Sequence, residues 1–503
     1  MSHTAFQPAG PAVELETDYC VVGSGAGGAT AALTLARAGR SVALVEAGPW
    51  RDPHDYPSST FGAFRDMLPA WGTTFTRGRA NWPIVQGAVV GGSTVVNSAI
   101  AVHTPGDVLE SWREQHGFEG GEALQAFQDE LDAELHVAEV PPAARGRTDL
   151  LALEGARRLG YPSALLQRYV KDCVGSGQCL QGCRAGRKQS LNVNYVPELL
   201  ARGGSVLSCA PVARVLFTGA RASGVRGRFR HPAERSRGAE FAVRARRGVL
   251  VGASVVQTAP LLQRSGVRHP ALGEGFRSHP GAPVIGVYDE PVDMNRGATQ
   301  GWGSTAFRSE PGFKLETLSL PLDMVAGRLA GAGQPLMERL REFRHFALWI
   351  HATRAETVGR IRPAPFGRSN VYYTLAPADM QRFRAAMLML ARTHVAAGAR
   401  AVIPGIAGLP YRLLPDEIGV LEQAPLDPRA YVSVLSHLFG GCAMGRDPAR
   451  SVCDPVGRVR EREALCIVDA SVIPSVLGVN PQHTIMSLAR YVAERMLDRE
   501  KSE

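Results

Sequence analysis

Apolar and polar residues near the N-terminus fall into three short runs with glycines between the first two. Residues 18–22 are mostly apolar, residues 29–38 are rich in alanine and leucine, and residues 41–45 are apolar again. The outer runs have the length and composition of buried strands, whereas the middle run has the composition of a helix. The pattern therefore predicts a strand, a glycine turn, a helix and a second strand.

Further along the chain the pattern predicts two kinds of sheet. Short strands at 206–207, 212–217, 248–252 and 465–468, with helices at 257–265 and 484–497, suit the sheet of the N-terminal unit. Between them, alternating residues at 346–350 and 371–373 and a helix at 378–397 are typical of an antiparallel sheet backed by helices. A strand at 431–435 is predicted to end before His437. The predicted fold class is α/β, with a Rossmann-like domain and an inserted α+β domain.

Composition narrows the class of protein. The chain has 503 residues, of which 45% are hydrophobic and 20% charged, which excludes a disordered protein and a small disulfide-bonded domain. Its length favours two subdomains. The net charge of +9 comes from scattered arginines without a dense basic run, so a nucleic-acid partner is not expected.

The chain shows no sign of export or membrane insertion. No segment reaches the roughly 18 apolar residues that a membrane span needs, and residues 1–17 lack the pattern of a signal peptide. Without an export signal, the eight cysteines are expected to be reduced thiols. We therefore expect no membrane span and a cytoplasmic location.

The glycine turn gives the first chemical indication. Gly23, Gly25 and Gly28 have the G-x-G-x-x-G spacing between a predicted strand and a predicted helix. Glycines there permit a tight turn and bring the backbone against a pyrophosphate, which the helix N-terminus attracts. Glu46 ends the second strand, where a carboxylate accepts hydrogen bonds from ribose hydroxyls and repels a 2′-phosphate. The unit predicts a site for FAD or NAD rather than NADP.

Four segments together resemble one enzyme family. They are the N-terminal unit, Gly91–Asn97 with the sequence GGSTVVN, residues 252–266, and the region from His437 (HLFGGCAMG) through GVNP to Thr484. Their order and spacing are similar to those of the glucose–methanol–choline (GMC) flavin oxidoreductases, and the C-terminal segments most resemble the cholesterol-oxidase-like branch. The resemblance implies a discontinuous FAD-binding domain at 14–108, 188–285 and 430–503. A substrate-binding domain and lid would occupy 109–187 and 286–429.

The resemblance also implies site residues. His437 matches the family's catalytic histidine, which takes the hydroxyl proton of an alcohol, and Asn480 matches the residue that positions the alcohol oxygen. Taken alone, His437 would fit a structural histidine and Asn480 a turn before Pro481. His483 ranks second as the base. The residues implied to bind FAD are Gly23, Gly25, Gly28, Glu46, Gly91, Gly92, Ser93, Asn97, Val212, Asp469, Pro481 and Gln482.

Three further positions carry expectations about the cofactor and its surroundings. Some family members attach FAD through a histidine at the position of Val96, and valine cannot form such a bond, so FAD is expected to be non-covalent. His103 lies outside the matched position and is expected to be structural. His279 follows Ser278, where the family usually has aspartate, and is also expected to be structural.

Three cysteines in one loop leave several interpretations open. Cys173, Cys179 and Cys183 could hold an iron–sulfur cluster or zinc, because thiolates are ligands that such metals prefer. Some bacterial GMC dehydrogenase subunits resemble this stretch and carry a three-iron cluster there. Inert thiols or a disulfide fit the same spacing, and we expect no metal.

The expected function is FAD-dependent oxidation of a small-molecule alcohol to an aldehyde or ketone. Two alternatives stay open: a flavin-containing lyase that does no redox chemistry, and an iron–sulfur dehydrogenase subunit that passes electrons to a partner. The sequence leaves the electron acceptor open among oxygen, a quinone and a carrier. It leaves the alcohol open among sterols, long-chain alcohols, sugars and aminosugars.

Overall fold

The computed structural model describes residues 2–502. Its strands are β1 (Ser2–Thr4), β2 (Val13–Val22), β3 (Val42–Val45), β4 (Thr76–Arg77), β5 (Val137–Ala138), β6 (Ala164–Leu165), β7 (Arg168–Tyr169), β8 (Ser205–Leu207), β9 (Val212–Thr218), β10 (Arg221–Arg230), β11 (Arg237–Val251), β12 (Glu274–Gly281), β13 (Pro283–Val287), β14 (Trp302–Ser304), β15 (Phe313–Thr317), β16 (Phe346–Thr353), β17 (Gly359–Pro363), β18 (Ser369–Tyr372), β19 (Ala401–Ile403), β20 (Val434–Phe439) and β21 (Leu465–Ile467). Its helices are α1 (Ala26–Arg37), α2 (Thr60–Met67), α3 (Gly106–Ser111), α4 (Gly121–Glu134), α5 (Arg147–Arg158), α6 (Tyr195–Ala201), α7 (Val255–Arg264), α8 (Leu322–Ala326), α9 (Gly333–Arg341), α10 (Pro377–Ala396) and α11 (Gln482–Ser502).

The first sheet contains the predicted N-terminal unit. Its order is β1-β8-β3-β2-β11-β10-β9, with β21 also paired to β11. β2 runs parallel to both β3 and β11, and β3 runs parallel to β8. Helix α1 begins at Ala26, earlier than predicted, because Gly25 takes the extended conformation of an N-cap residue. α11 packs beside α1 and covers the same sheet.

A six-stranded antiparallel sheet forms the second layer. Its order is β19-β13-β16-β15-β14-β6, and α10 and α5 pack against it. β16 is nearly all buried, so the expected alternation of exposed and buried positions is wrong. Trp349 stacks on His394 of α10 with ring centroids 3.5 Å apart, whereas Leu348 and Ile350 point to the opposite face. Both faces of the strand are therefore covered.

A five-stranded sheet, β20-β12-β17-β18-β4, brings distant parts of the chain together. β20 pairs antiparallel with β12, with Ser278 opposite Leu438. The predicted strand at 431–435 is wrong in its bounds: residues 428–430 form a 3-10 turn, and the strand starts at Val434. His437 consequently lies within β20 rather than after a strand.

Within residues 2–502, no helix combines the length and apolar character needed to cross a bilayer. All eight cysteines are free thiols. The mixed α/β class with an antiparallel layer is confirmed. The domain boundaries and the cytoplasmic location stay predictions.

Candidate active site

One large cavity gathers most of the predicted site residues. Its volume is about 1870 Å³, above the roughly 300–1,000 Å³ of pockets for drug-sized ligands. It has room for a dinucleotide and a second molecule. Predicted residues that line it are Gly23, Gly25, Glu46, Gly92, Ser93, Val96, Asn97, Val212, His437, Asp469, Asn480, Pro481 and Gln482. Gly28 and Gly91 are not among the residues that line it, and their contact with the cofactor stays a prediction.

The glycines of the first turn divide into two roles. A Cβ on Gly28 would lie 1.9 Å from the Gly23 carbonyl oxygen, so Gly28 permits close packing of α1 on the turn. A Cβ on Gly25 would meet only the Gly92 Cα, at 3.9 Å, and would enter the cavity. The bare backbone at Gly25 and the N-terminus of α1 therefore form a surface suited to a pyrophosphate.

Glu46 ties the first turn to the second glycine segment. Its Oε2 accepts hydrogen bonds from Ser24 N at 2.9 Å and Ser24 Oγ at 2.7 Å, and its Oε1 accepts one from Gly48 N at 2.8 Å. The Gly91 N–H in turn donates to Ser24 Oγ at 3.0 Å. Burial raises the pKa of Glu46. The carboxylate thus orders the turn itself, and Ser24, which the sequence did not single out, joins the two glycine segments.

Asp469, which also lines the cavity, is held in a similar way. Its Oδ2 accepts hydrogen bonds from Ser254 N at 2.9 Å and Thr258 Oγ1 at 2.5 Å. Its Oδ1 accepts from Ser471 N at 2.8 Å, which caps a 3-10 turn. Burial raises its pKa. Asp469 therefore has a structural role in addition to its position on the cavity wall.

The start of α11 meets the second glycine segment through side chains. Asn97 Nδ2 donates to Gln482 Oε1 at 2.6 Å, and Ala99 N donates to Asn97 Oδ1 at 3.0 Å. Val96 is 6% exposed, and the face it shows borders the cavity. The predicted cofactor residues from two distant segments are thus in direct contact.

His437 is paired with His279, which the sequence assigned a structural role. The Gly478 N–H donates to His279 Nε2 at 2.9 Å, so the proton of neutral His279 is on Nδ1. His279 Nδ1 lies 3.3 Å from His437 Nδ1 and donates to it. Neutral His437 therefore carries its own proton on Nε2.

The pairing with His279 also bears on the protonation of His437. Burial, together with the charge of Lys314, lowers the pKa of His437 to about 3, and burial lowers that of His279 well below its usual value. Both rings are therefore neutral at pH 7. In this pairing the nitrogen of His437 that remains for a ligand, Nε2, holds a proton and can donate to an alcohol oxygen. The role of His437 as the base stays a prediction.

Asn480 is oriented by a buried ion pair that sequence reasoning missed. Lys314 Nζ donates to Asn480 Oδ1 and, at 2.6 Å, to Glu316 Oε1. Lys314 is 3% exposed and Glu316 5%. An ammonium group has donors only, so the oxygen of Asn480 faces Lys314 and the amide NH₂ remains for the cavity. In the sequence, the only indication that Lys314 is unusual was the scarcity of lysine, since the chain has only four.

His483 and His103 are outside the cavity. His483 Nδ1 bonds Tyr169 Oη at 2.7 Å and Nε2 bonds the Gln128 carbonyl at 3.0 Å, and burial lowers its pKa to about 4. His103 bonds Asp132 at 2.8 Å and stacks on His483. His483 is therefore not placed to act as the alternative base.

The three cysteines of the loop border one small cavity with Lys188. Lys188 Nζ donates to the carbonyls of Val95, Asn97 and Cys179. Although burial alone would raise it, the charges of Arg168 and Lys188 lower the pKa of Cys179 to about 7. The loop is thus linked to the segment around Val96. That the three cysteines hold no metal stays a prediction.

Comparison with known proteins decides the family. Sequence models described as GMC oxidoreductase match residues 17–281 and 356–489. The chain is a GMC oxidoreductase. This GMC oxidoreductase is 34% identical over 483 residues to an uncharacterized GMC-type oxidoreductase of Mycobacterium tuberculosis, covering 95% of this chain and 75% of that protein. It is 27% identical over 524 residues to a long-chain-alcohol oxidase of Arabidopsis thaliana, covering 99% and 69%.

The fold has a similar counterpart among solved structures. The GMC oxidoreductase superimposes on pyridoxine 4-oxidase from "Mesorbium loti" with a TM-score of 0.72 at 17% identity, covering 95% of this chain and 98% of that one. The predicted family is confirmed, whereas the cholesterol-oxidase-like branch stays a prediction. GMC oxidoreductases bind FAD. The contact of its pyrophosphate with the bare backbone at Gly25 stays a prediction.

Proposed function

We propose that this GMC oxidoreductase oxidises the CH–OH group of a small-molecule alcohol to an aldehyde or ketone. The observation that carries the proposal is the orientation of His437 and Asn480. Each has one partner behind it, and each leaves an N–H group for the cavity. Two donors on one cavity suit an alcohol oxygen, and each binds it more strongly as negative charge develops on it.

The remaining residues hold the two reactants together. The turn at Gly25 and the start of α1 would bind the pyrophosphate, and Glu46 the ribose. Asn97, Asp469 and Gln482 line the same cavity as that turn and His437. Bound FAD supplies the acceptor for the hydride from the alcohol carbon. The side chains of the protein hold that carbon and its oxygen in one geometry.

The part of the cavity wall formed by β15, β16 and the residues after β15 favours an apolar alcohol. β15 and the residues after it present alternate side chains to the cavity, next to those of β16. The apolar side chains on this wall are Leu318, Leu320, Met324 and Ile350. Arg328 also lines the cavity, and among residues 2–502 its Nη1 has no hydrogen-bond partner. An aliphatic alcohol fits this wall, whereas a cation beside Arg328 is repelled.

An anaerobic screen tests this proposal. Purified yellow protein is mixed without oxygen with alkan-1-ols, sterols, sugars, aminosugars and choline, and the absorbance of oxidised flavin is followed. We expect aliphatic alcohols to bleach the flavin and choline to leave it unchanged. Readmitted air then shows whether oxygen restores the colour. Retention of full absorbance with every alcohol would favour the alternative of a lyase in which FAD does no redox chemistry.

The cofactor is proposed to be non-covalent. Val96 borders the cavity at the position of the expected tether, and a saturated side chain forms no bond to the flavin ring. Precipitating the protein with acid should release all the FAD into the supernatant. The denatured band on a gel should show no flavin fluorescence. A fluorescent band would mean that another residue holds the ring.

A further inference from the structure

Two arginines on the cavity wall each have a buried guanidinium nitrogen without a partner. They are Arg264 and Arg328, and in each the Nη1 atom makes no hydrogen bond among residues 2–502. A buried donor that stays unpaired costs free energy, and a charged donor costs more than a neutral one. Most buried polar groups in folded proteins are paired. An anionic ligand in the cavity would supply the partner that such a nitrogen lacks.

Arg328 differs from other buried cations of the protein in having no carboxylate beside it. Lys314 Nζ donates to Glu316 at 2.6 Å, and Arg308 Nη1 donates to both carboxylate oxygens of Asp107, at 3.0 and 3.1 Å. Burial lowers the pKa of Lys314, and the charge of Glu316 opposes that effect. Burial also lowers the pKa of Arg328, with no opposing charge. A negatively charged ligand would therefore provide the counter-charge that Arg328 lacks.

Arg328 and the residues that orient Asn480 belong to one stretch of chain. Glu316 of β15 shares the Lys314 ammonium group with Asn480, and Arg328 follows α8. The residues between Glu316 and Arg328 that line the cavity are all apolar: Leu318, Leu320 and Met324. A ligand with one end at Asn480 and the other at Arg328 would therefore have an apolar surface for the part between its ends.

Arg264 belongs with the predicted nucleotide segment instead. It ends α7, and the residue after it, Ser265, accepts a hydrogen bond through Oγ from the Val215 N–H of β9 at 2.9 Å. β9 begins at Val212, which is predicted to bind FAD. An anion at Arg264 would therefore lie with the cofactor, whereas Arg328 belongs to the stretch that carries the apolar side chains.

We propose that the alcohol carries a carboxylate at the end remote from its hydroxyl group and that Arg328 binds this carboxylate. The inference rests on the proposed alcohol oxidation. The substrate class is then an ω-hydroxyalkanoate, with its hydroxyl at His437 and Asn480 and its methylene chain on the apolar stretch. The CH–OH end is oxidised, and the carboxylate does not react. A guanidinium suits a carboxylate because the two form parallel hydrogen bonds and carry one charge each, whereas a phosphate monoester carries close to two charges.

The first test compares matched alcohols on the holoenzyme. Anaerobic flavin reduction is measured with ω-hydroxydecanoate, its methyl ester and decan-1-ol. We expect kcat/KM for the acid to exceed the other two by ~10–100-fold, the scale of one charge-assisted hydrogen bond. Arg328→Met, which removes a buried charge and keeps an unbranched side chain, should abolish this preference. Arg368→Met, which replaces an exposed arginine on the same cavity, should retain it. Equal values for acid and ester in the wild type, or a preference that survives in Arg328→Met, would overturn the assignment.

The second test measures binding without redox chemistry. Decanoate has no hydroxyl group, and its dissociation constant for the holoenzyme is measured by titration calorimetry. We expect binding to weaken by ~10–100-fold in Arg328→Met and to stay native in Arg368→Met. Equal affinities in Arg328→Met and the wild type, or a loss in Arg264→Met instead, would overturn the role of Arg328. If decanoate binding depends on Arg328 but no alcohol reduces the wild-type flavin, the carboxylate site stands and it is the proposed function that fails.

Discussion

Valine in place of Gly25 should give a folded protein that retains no flavin. The backbone at Gly25 has φ −67° and ψ −171°, which valine adopts without strain. The added side chain would extend into the cavity, where the nearest protein atom to its Cβ is the Gly92 Cα at 3.9 Å. It would therefore displace the pyrophosphate rather than disturb the protein. The flavin-to-protein absorbance ratio of the purified variant measures the effect.

A second glycine provides the control for that experiment. Gly106 begins α3, and a Cβ there would meet nothing within 4 Å. Gly106→Val should keep the native flavin content. Normal flavin content in Gly25→Val would show that the dinucleotide binds at a different surface, and the proposed roles of the neighbouring turn would have to be abandoned.

Removing the His437 imidazole should slow flavin reduction by alcohol by ~10²–10³-fold, the usual loss on deleting a donor to a developing oxyanion. His437→Ala takes away the Nε2–H group that faces the cavity and leaves His279 without its acceptor. Flavin content should stay near native, because the predicted pyrophosphate and ribose contacts are elsewhere. Anaerobic stopped-flow absorbance follows the rate.

His103→Ala is the matched histidine control. His103 is outside the cavity and bonds Asp132, so its loss should leave the reduction rate near that of the wild type. Equal rates in His437→Ala and the wild type would exclude His437 from contact with the alcohol oxygen.

The sequence predicted those parts of the fold that depend on local pattern. β2, α1 and β3 follow one another around Gly23 and Gly25, so their spacing alone identified the unit and its ligand class. The helix at 378–397 was placed within one residue because its length and composition are helical throughout. The extent of β16 burial was missed, because it depends on α10, which covers one face of that strand.

The sequence predicted only part of the candidate site, because only some of its residues belong to local motifs. His437, Asn480 and the glycines carry motifs, whereas Ser24, His279, Lys314 and Glu316 acquire their roles through contacts between distant segments. Lys314 meets Asn480 across 166 residues of sequence. No local pattern encodes such a contact. The orientation of His437 was likewise inaccessible, because it depends on the backbone N–H of Gly478.

The pairing of β12 with β20 has a consequence for the order of folding. The glycine turns that meet at Ser24 and Gly91 are 67 residues apart, whereas His279 and His437 are separated by 158. Closing the longer loop costs more chain entropy, and five of the six strands of the six-stranded sheet lie within that loop. During synthesis the two glycine turns that meet at Ser24 and Gly91 can therefore assemble before His279 and His437 are paired. A nascent chain that ends before β20 would have a partly built cofactor site and no means of holding an alcohol.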